Sequence, residues 1–215
     1  MLDRTPAPST YAIWIAEHAR AFEGVPVKRH VVVWETAVAA DAAPYDGPLE
    51  RERSTVLTIR RPPIREAPIT LHELVSDGDW NDTAALDATH WSSLGDDFAA
   101  FGGWWSGVVR RDAAAGRCRV WGARDGDELV AFAGMYASDR WARFITPVTA
   151  PAYRRREIFS ALASVAIAAT LRTHPDATVV IAAEAGSAAE RTYLGLGFAP
   201  VGELRALVAD GVHAM

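Results

Sequence analysis

Alternating and helically spaced apolar positions lay out a series of elements along the chain. Ile13, Trp14, Ile15, Ala19 and Phe22 suit a short amphipathic helix over 11–22. The β-branched run Val31-Val32-Val33-Trp34 predicts a strand. A second is predicted over 54–59, stopped by Pro62-Pro63, and Pro44, Gly47 and Pro48 mark a loop between them. Residues 69–74 alternate as a half-buried strand does, and Ser76 with Asp77 or Asp79 can cap a helix carrying Trp80, Ala84, Leu86 and Trp91. The glycine- and tryptophan-rich stretch 98–105 continues helically into Val108-Val109. Residues 118–123 and 128–136 form two strands around Asp125-Gly126, a strong hairpin signal, and 141–149 adds a third. A buried strand over 178–183, a short helix over 187–194 and a strand over 198–208 complete the order.

One stretch within this pattern points to chemistry. The strand ending at Val148-Thr149 breaks at Ala150-Pro151. The chain then resumes as a helix whose first turn is predicted to hold Arg154, Arg155 and Arg156, and which stays apolar through Ile158, Phe159, Leu162, Val165, Ile167 and Leu171. Free N–H groups at a helix start, with the positive end of its dipole, hold phosphate well. Arginine opposes that dipole, so helix physics alone does not put three of them there; forked donors for phosphate oxygens are the functional reading. A basic, solvated start to a helix packed on a sheet is the structural one.

Composition narrows the classes. A length of 215 residues suits one large domain, or one domain with an appendage. The net charge of −5, with no long basic face, argues against nucleic acid as a partner. A single cysteine, Cys118, precludes an internal disulfide and fits a cytoplasmic protein. No apolar run long enough to span a membrane is present, and His18, His30, His72, His90, His174 and His213 lack metal-ligand spacing, so neither membrane nor metal is expected. Residues 1–66 hold too few apolar positions for a core of their own. They are expected to form an extension docked on 67–215 or on a second subunit as a homodimer. The helix-strand-loop-strand order at 11–60 loosely repeats that at 154–208, as a degenerate half-domain would.

From about 67 to 215 the chain resembles the GCN5-related N-acetyltransferases, the GNAT superfamily. The resemblance is carried by Val148-Thr149-Ala150-Pro151-Ala152-Tyr153-Arg154-Arg155-Arg156 and by Ala189-Glu190-Arg191-Thr192-Tyr193-Leu194-Gly195-Leu196-Gly197-Phe198. It implies an α/β (α+β) fold: a mixed, mostly antiparallel sheet flanked by helices, with a helix-strand-strand extension before it. It also implies acetyl-CoA as co-substrate and a small-molecule or peptide amine as acceptor. Main-chain groups near Val148 and Thr149 would meet the pantetheine, and the N–H groups from Arg154, Arg155, Arg156, Glu157, Ile158 and Phe159 would meet the pyrophosphate. Tyr193 would protonate the departing thiolate. The family's small positions in the pyrophosphate turn are filled here by Glu157 and Phe159, and Gly186 replaces its usual asparagine. A carboxylate repels phosphate unless Arg154 or Arg191 neutralises it, so a catalytically silent GNAT-fold module that binds a ligand or a protein is the alternative. Replacing Glu157 by Gly is expected to lower the melting temperature, through helix propensity, while tightening cofactor binding. Glu184 and His90 are the candidate general bases. Trp80, Trp91, Trp104 and Trp105 would line an aromatic acceptor pocket, with Gly102-Gly103 letting it adapt.

Overall fold

A computed structural model describes residues 13, 16, 17, 20, 29–36, 50–66, 69–92 and 96–210. The fold is mixed, with a mostly antiparallel sheet and helices, in the order expected from the sequence: β1 (Arg29–Thr36), β2 (Glu50–Ile59), β3 (Thr70–Glu73), α1 (Asp77–Ser92), α2 (Asp96–Ala114), β4 (Cys118–Asp125), β5 (Glu128–Ala137), β6 (Trp141–Thr149), α3 (Ile158–Thr173), β7 (Thr178–Glu184), α4 (Ala188–Gly195) and β8 (Ala199–Asp210). Of the helix expected over 11–22, Ile13, Ala16, Glu17 and Arg20 are helical and exposed; the loop expected over 37–49 lies outside the described residues. The chain divides into two compact units, 59–181 and a second built from 1–58 with 182–215.

In the unit 59–181 the strands run β7-β6-β5-β4-β3. All neighbours are antiparallel except β6 with β7, which are parallel. The β4–β5 hairpin turns at Gly126, whose φ of 58° is glycine territory. Leu74, Val109, Val120, Phe132, Ile145 and Val148 form a buried cluster against which Trp80 and Trp105 pack. Helix α3 can lie close to strands because it buries small residues, among them Ala161, Ala163 and Ala166.

The entry to α1 is a capping box. Asp79 N–H donates to Ser76 Oγ at 3.1 Å, and Asp79 Oδ2 accepts from Ser76 N–H at 3.0 Å. The same carboxylate accepts from His72 Nε2 at 3.2 Å and from Arg124 at 3.0 Å, tying β3, α1 and β4 together. Burial pushes against ionisation of Asp79, but the Ser76, His72 and Arg124 hydrogen bonds outweigh it and hold the carboxyl far below its ordinary value. A depressed carboxylate pKa contributes stability above the unfolded value near 3.9 and loses it as pH falls below that. Asp79→Ala is therefore expected to cost about 2–3 kcal/mol at pH 7. The deficit should shrink between about pH 5 and pH 2, as thermal melts across that range would reveal.

In the other unit β8 lies between β1 and β2, antiparallel to both. Its pairing with β1 runs from Arg29↔Asp210 to Thr36↔Glu203, and with β2 from Glu50↔Val208 to Thr58↔Ala199. Ser187 caps α4 by accepting from Glu190 N–H at 3.1 Å. The Glu190 carboxylate in turn takes Thr55 Oγ1 and, at 2.5 Å, the N–H of Gly186.

Candidate functional site

The strand, turn and helix from Phe144 to Ile158 gather the predicted cofactor-side residues on one continuous piece of chain. Strand β6 pairs with β5 as far as Ala131↔Thr149, and Ala150 N–H adds a bond to Val130 O at 2.9 Å. Between Phe132↔Val148 and Gly134↔Ile145 two residues of β6, Thr146 and Pro147, face one of β5, a β-bulge that kinks the strand. On its other side β6 pairs with β7 only through Trp141↔Thr178, Ala142↔Val179 and Arg143↔Val180. Main-chain groups of 144–149 turned to that side therefore belong to no ladder of this unit. Val148 is buried and Thr149 half-buried beside this opening.

The turn corrects one expectation. The three arginines do not occupy the first turn of the helix. Pro151–Tyr153 forms a single 3-10 turn, Arg154 is extended, and α3 starts only at Ile158. The reason is backbone: Arg155 and Glu157 adopt φ of 61° and 58°, the left-handed region, which no α-helix can absorb. Glu157 is the N-cap of α3 but makes no side-chain cap bond, so the first N–H groups of the helix receive no acceptor from it. Arg154 Nε donates to Thr149 O at 3.1 Å, and the Arg156 guanidinium lies 5.1 Å from the Tyr153 ring centroid. Tyr153 donates to Asp125 at 2.9 Å, which raises the pKa of its hydroxyl. No ion pair among the described residues uses Arg154, Arg155 or Arg156.

The two occupied small positions behave differently. The Phe159 ring packs on Phe144, centroids 6.0 Å apart, so its bulk goes to the core. Glu157 stays exposed. Neither expected neutralising partner takes it: Arg154 turns to Thr149, and Arg191 donates to Gly186 O at 2.7 Å.

Across the sheet from α3, a cavity of about 190 Å³ opens between α1, α2 and strands β4, β5 and β6. Trp80, Trp105 and Phe132 wall it, and Asn81, Thr83, Asp87, Ser106 and Arg110 are its polar lining residues. Asp87 is only 4% exposed and accepts from the Ser106 hydroxyl. Gly134 also lines it, and a Cβ at that position would meet Ile145 Cδ1 at 2.8 Å and Val120 Cγ2 at 3.0 Å.

No protein-family model and no curated protein matches the chain. Solved structures do. A conserved protein of unknown function from Staphylococcus epidermidis superposes with a TM-score of 0.66 at 11% identity, covering 96% of this chain and 82% of its own. A tandem GNAT protein from the clavulanic acid biosynthesis pathway gives 0.63 at 13% identity, over 99% and 73%. A GCN5-related N-acetyltransferase from Sphaerobacter thermophilus gives 0.59 at 15%, over 94% and 68%. The fold is that of the GNAT superfamily. At such identities the likeness to GNAT proteins is one of backbone path, and side-chain roles have to be argued from this chain.

Judged so, the residues assigned to the cofactor in a GNAT reading, from Val148 to Phe159, lie together on one strand-turn-helix, whereas the proposed acid and bases belong to other elements. His90 is half-buried in the last turn of α1 and is not part of the cavity lining. Glu184 is exposed at the end of β7, in the unit formed by 1–58 and 182–215. Tyr193 lies in that unit too, buried on α4 with its ring edge-on to Phe198 at 5.4 Å; burial raises its hydroxyl to about 12. Of the four tryptophans expected around an acceptor pocket, Trp80 and Trp105 line the cavity, Trp104 is exposed, and the side chain of Trp91 lies outside the described residues. Sequence reasoning missed Asp87. Its signal was spacing, since Trp80, Thr83 and Asp87 fall on one face of α1 and a carboxylate in step with a buried face is rarely incidental.

Proposed function

We propose that the protein is an N-acetyltransferase that moves the acetyl group of acetyl-CoA to an amine. The observation that carries this reading is the turn before α3. It follows a path suited to glycine at Arg155 and Glu157, leaves the helix N-terminus without a side-chain cap from Glu157, and presents arginines with no carboxylate partner among the described residues. Such a turn fits a pyrophosphate, because N–H groups, helix dipole and guanidinium groups all favour a dianion there. Ile158, Phe159 and Ser160 would offer N–H groups, and Arg154, Arg155 and Arg156 charge. The unladdered stretch of β6 near Val148 and Thr149 would offer main-chain partners to pantetheine amides.

Acetyl-CoA supplies an activated thioester: a C–N bond forms from the amine lone pair, the C–S bond breaks, and the amine's surplus proton balances the thiolate, giving an N-acetylamine and CoA. For Tyr193, a hydroxyl pKa near 12 keeps the proton on oxygen throughout the physiological range, as a donor to that thiolate requires. Among the described residues no helix is long and apolar enough to cross a membrane, and the one cysteine, Cys118, is buried with its thiol raised to about 11 by burial. Both fit an inert thiol in a cytoplasmic enzyme.

A thermal melt with acetyl-CoA tests the reading. At a hundredfold excess over Kd the native state gains about 2.7 kcal/mol, or roughly 5–10 °C for a chain of this size. A flat titration favours the catalytically silent module, to which the exposed Glu157 carboxylate lends support. Where CoA release follows, Tyr193→Phe is expected to lower kcat about tenfold with little change in KM for acetyl-CoA. An unchanged kcat with the chemical step limiting returns Tyr193 to core packing.

A further inference from the structure

Protein interiors are packed to crystal density, with few voids larger than a water molecule. The cavity beneath α1 and α2, about 190 Å³, is such an exception, and it borders the main buried cluster of its unit, with which it shares Val109, Val120, Phe132 and Ile145. We propose that it binds an uncharged small molecule with one aromatic ring, held between the two helices and the sheet. This inference stands on the cavity and does not rest on the acetyl-transfer reading. The volume modestly exceeds the roughly 150 Å³ of an engineered cavity that holds benzene. A single ring with a short substituent therefore fits, and a nucleotide or a length of peptide does not.

The walls decide the kind of guest. Trp80 and Trp105 pack against the buried cluster and, with Phe132, give the cavity three aromatic sides, which favour an aromatic ring. Helix α2 meets the cavity with Gly103 and Gly107. A Cβ at Gly103 would meet nothing within 4 Å, and one at Gly107 would come no closer than 3.7 Å, to Arg111 Nη1. Alanine would fit at both and favour the helix, so packing among the described residues does not call for glycine there. A guest lying against a bare helix wall accounts for both. Two of the described lining residues carry charge, and both are engaged. Asp87 accepts from the Ser106 hydroxyl and has a further interaction besides, and Arg110 pairs with Asp77 at 2.5 Å. An ionised guest would lose its hydration with no partner kept for it, which is costly, whereas a neutral ring gains by leaving water.

Titrations of the full chain at pH 7, followed by the indole N–H signals and without acetyl-CoA, test this. The probes are benzyl alcohol and benzylamine, which keeps the ring but is an ammonium at that pH. Benzyl alcohol is expected to shift the signals of Trp80 and Trp105, assigned through Trp80→Phe and Trp105→Phe, with a Kd of about 1 mM or below. Benzylamine is expected to bind at least about tenfold more weakly. Shifts confined to other tryptophans, no saturable shift, or benzylamine within about tenfold of benzyl alcohol overturns the proposal. Val109→Phe supplies a ring from the cavity's own wall and should weaken benzyl alcohol at least about tenfold; unchanged binding by the folded variant overturns it as well. Should that variant fail to fold, the wild-type shifts decide alone. Since no acetyl-CoA is present, failure of the transferase reading leaves this result untouched, and a cavity that binds no ring leaves the transferase reading standing.

Discussion

Deleting residues 1–66 is expected to leave no soluble, folded protein. The deletion removes β1 and β2, which are both partners of β8, and so strips that strand of its ladders on either side. It also removes Leu57, one of the largest fully buried side chains, whose loss as a mere truncation to alanine would cost about 2–5 kcal/mol. Glu190 loses Thr55, and Ala185 N–H loses its bond to Arg53 O, so the start of α4 is loosened as well. A domain's whole stability is about 5–15 kcal/mol, and a twelve-residue strand with two bare edges invites aggregation. Circular dichroism and limited proteolysis of the 67–215 fragment provide the check. A soluble monomer with the melting temperature of the full chain would show that the first 66 residues are dispensable to the fold.

That dependence was only partly legible in the sequence. The shortage of apolar residues in 1–66 says that the segment must dock somewhere. Its docking strand is about 150 residues away, and no local periodicity encodes a partner at that distance; register is a property of the pair. The 118–149 meander is the opposite case. Alternation and an Asp-Gly turn are local signals, and they place three strands within a few residues of where they lie. The α3 entry failed for a third reason. Apolar spacing ran back to the arginines without a glycine to interrupt it, so the pattern read as helix. The structure breaks the helix with left-handed arginine and glutamate, residue types that propensity does not associate with that conformation. In the candidate site, strand-turn-helix residues were legible because they are contiguous. The Asp87 pocket is assembled from two helices and three strands, and only a carboxylate in step with an apolar face hinted at it.

The left-handed turn also removes most of the melting penalty expected of Glu157→Gly. If Glu157 lay within the helix, glycine there would cost about 1 kcal/mol of propensity. Glu157 instead sits at the N-cap with φ 58° and ψ 7°, and it makes no cap hydrogen bond. Holding a residue with a Cβ in that region costs about 1–2 kcal/mol, which glycine escapes. Against this stand the loss of a carboxylate–dipole attraction of about 0.3–1 kcal/mol and the greater unfolded-state freedom of glycine, worth a further 0.4–1 kcal/mol or so. The balance lies between about 1 kcal/mol of destabilisation and about 1 kcal/mol of stabilisation, so the melting temperature of Glu157→Gly should stay within about 4 °C of the wild type's. Binding should tighten. Removing a unit charge from beside the pyrophosphate is worth about 1–2 kcal/mol at the surface of a protein, or five- to thirtyfold in the Kd for acetyl-CoA. Glu157→Gln separates charge from backbone, since it discards the charge and keeps the left-handed strain: it should bind more tightly and melt no higher than the wild type. Calorimetry that finds wild type, Glu157→Gln and Glu157→Gly binding acetyl-CoA equally would mean that the carboxylate points away from the phosphates, and the strongest support for a silent module would go with it.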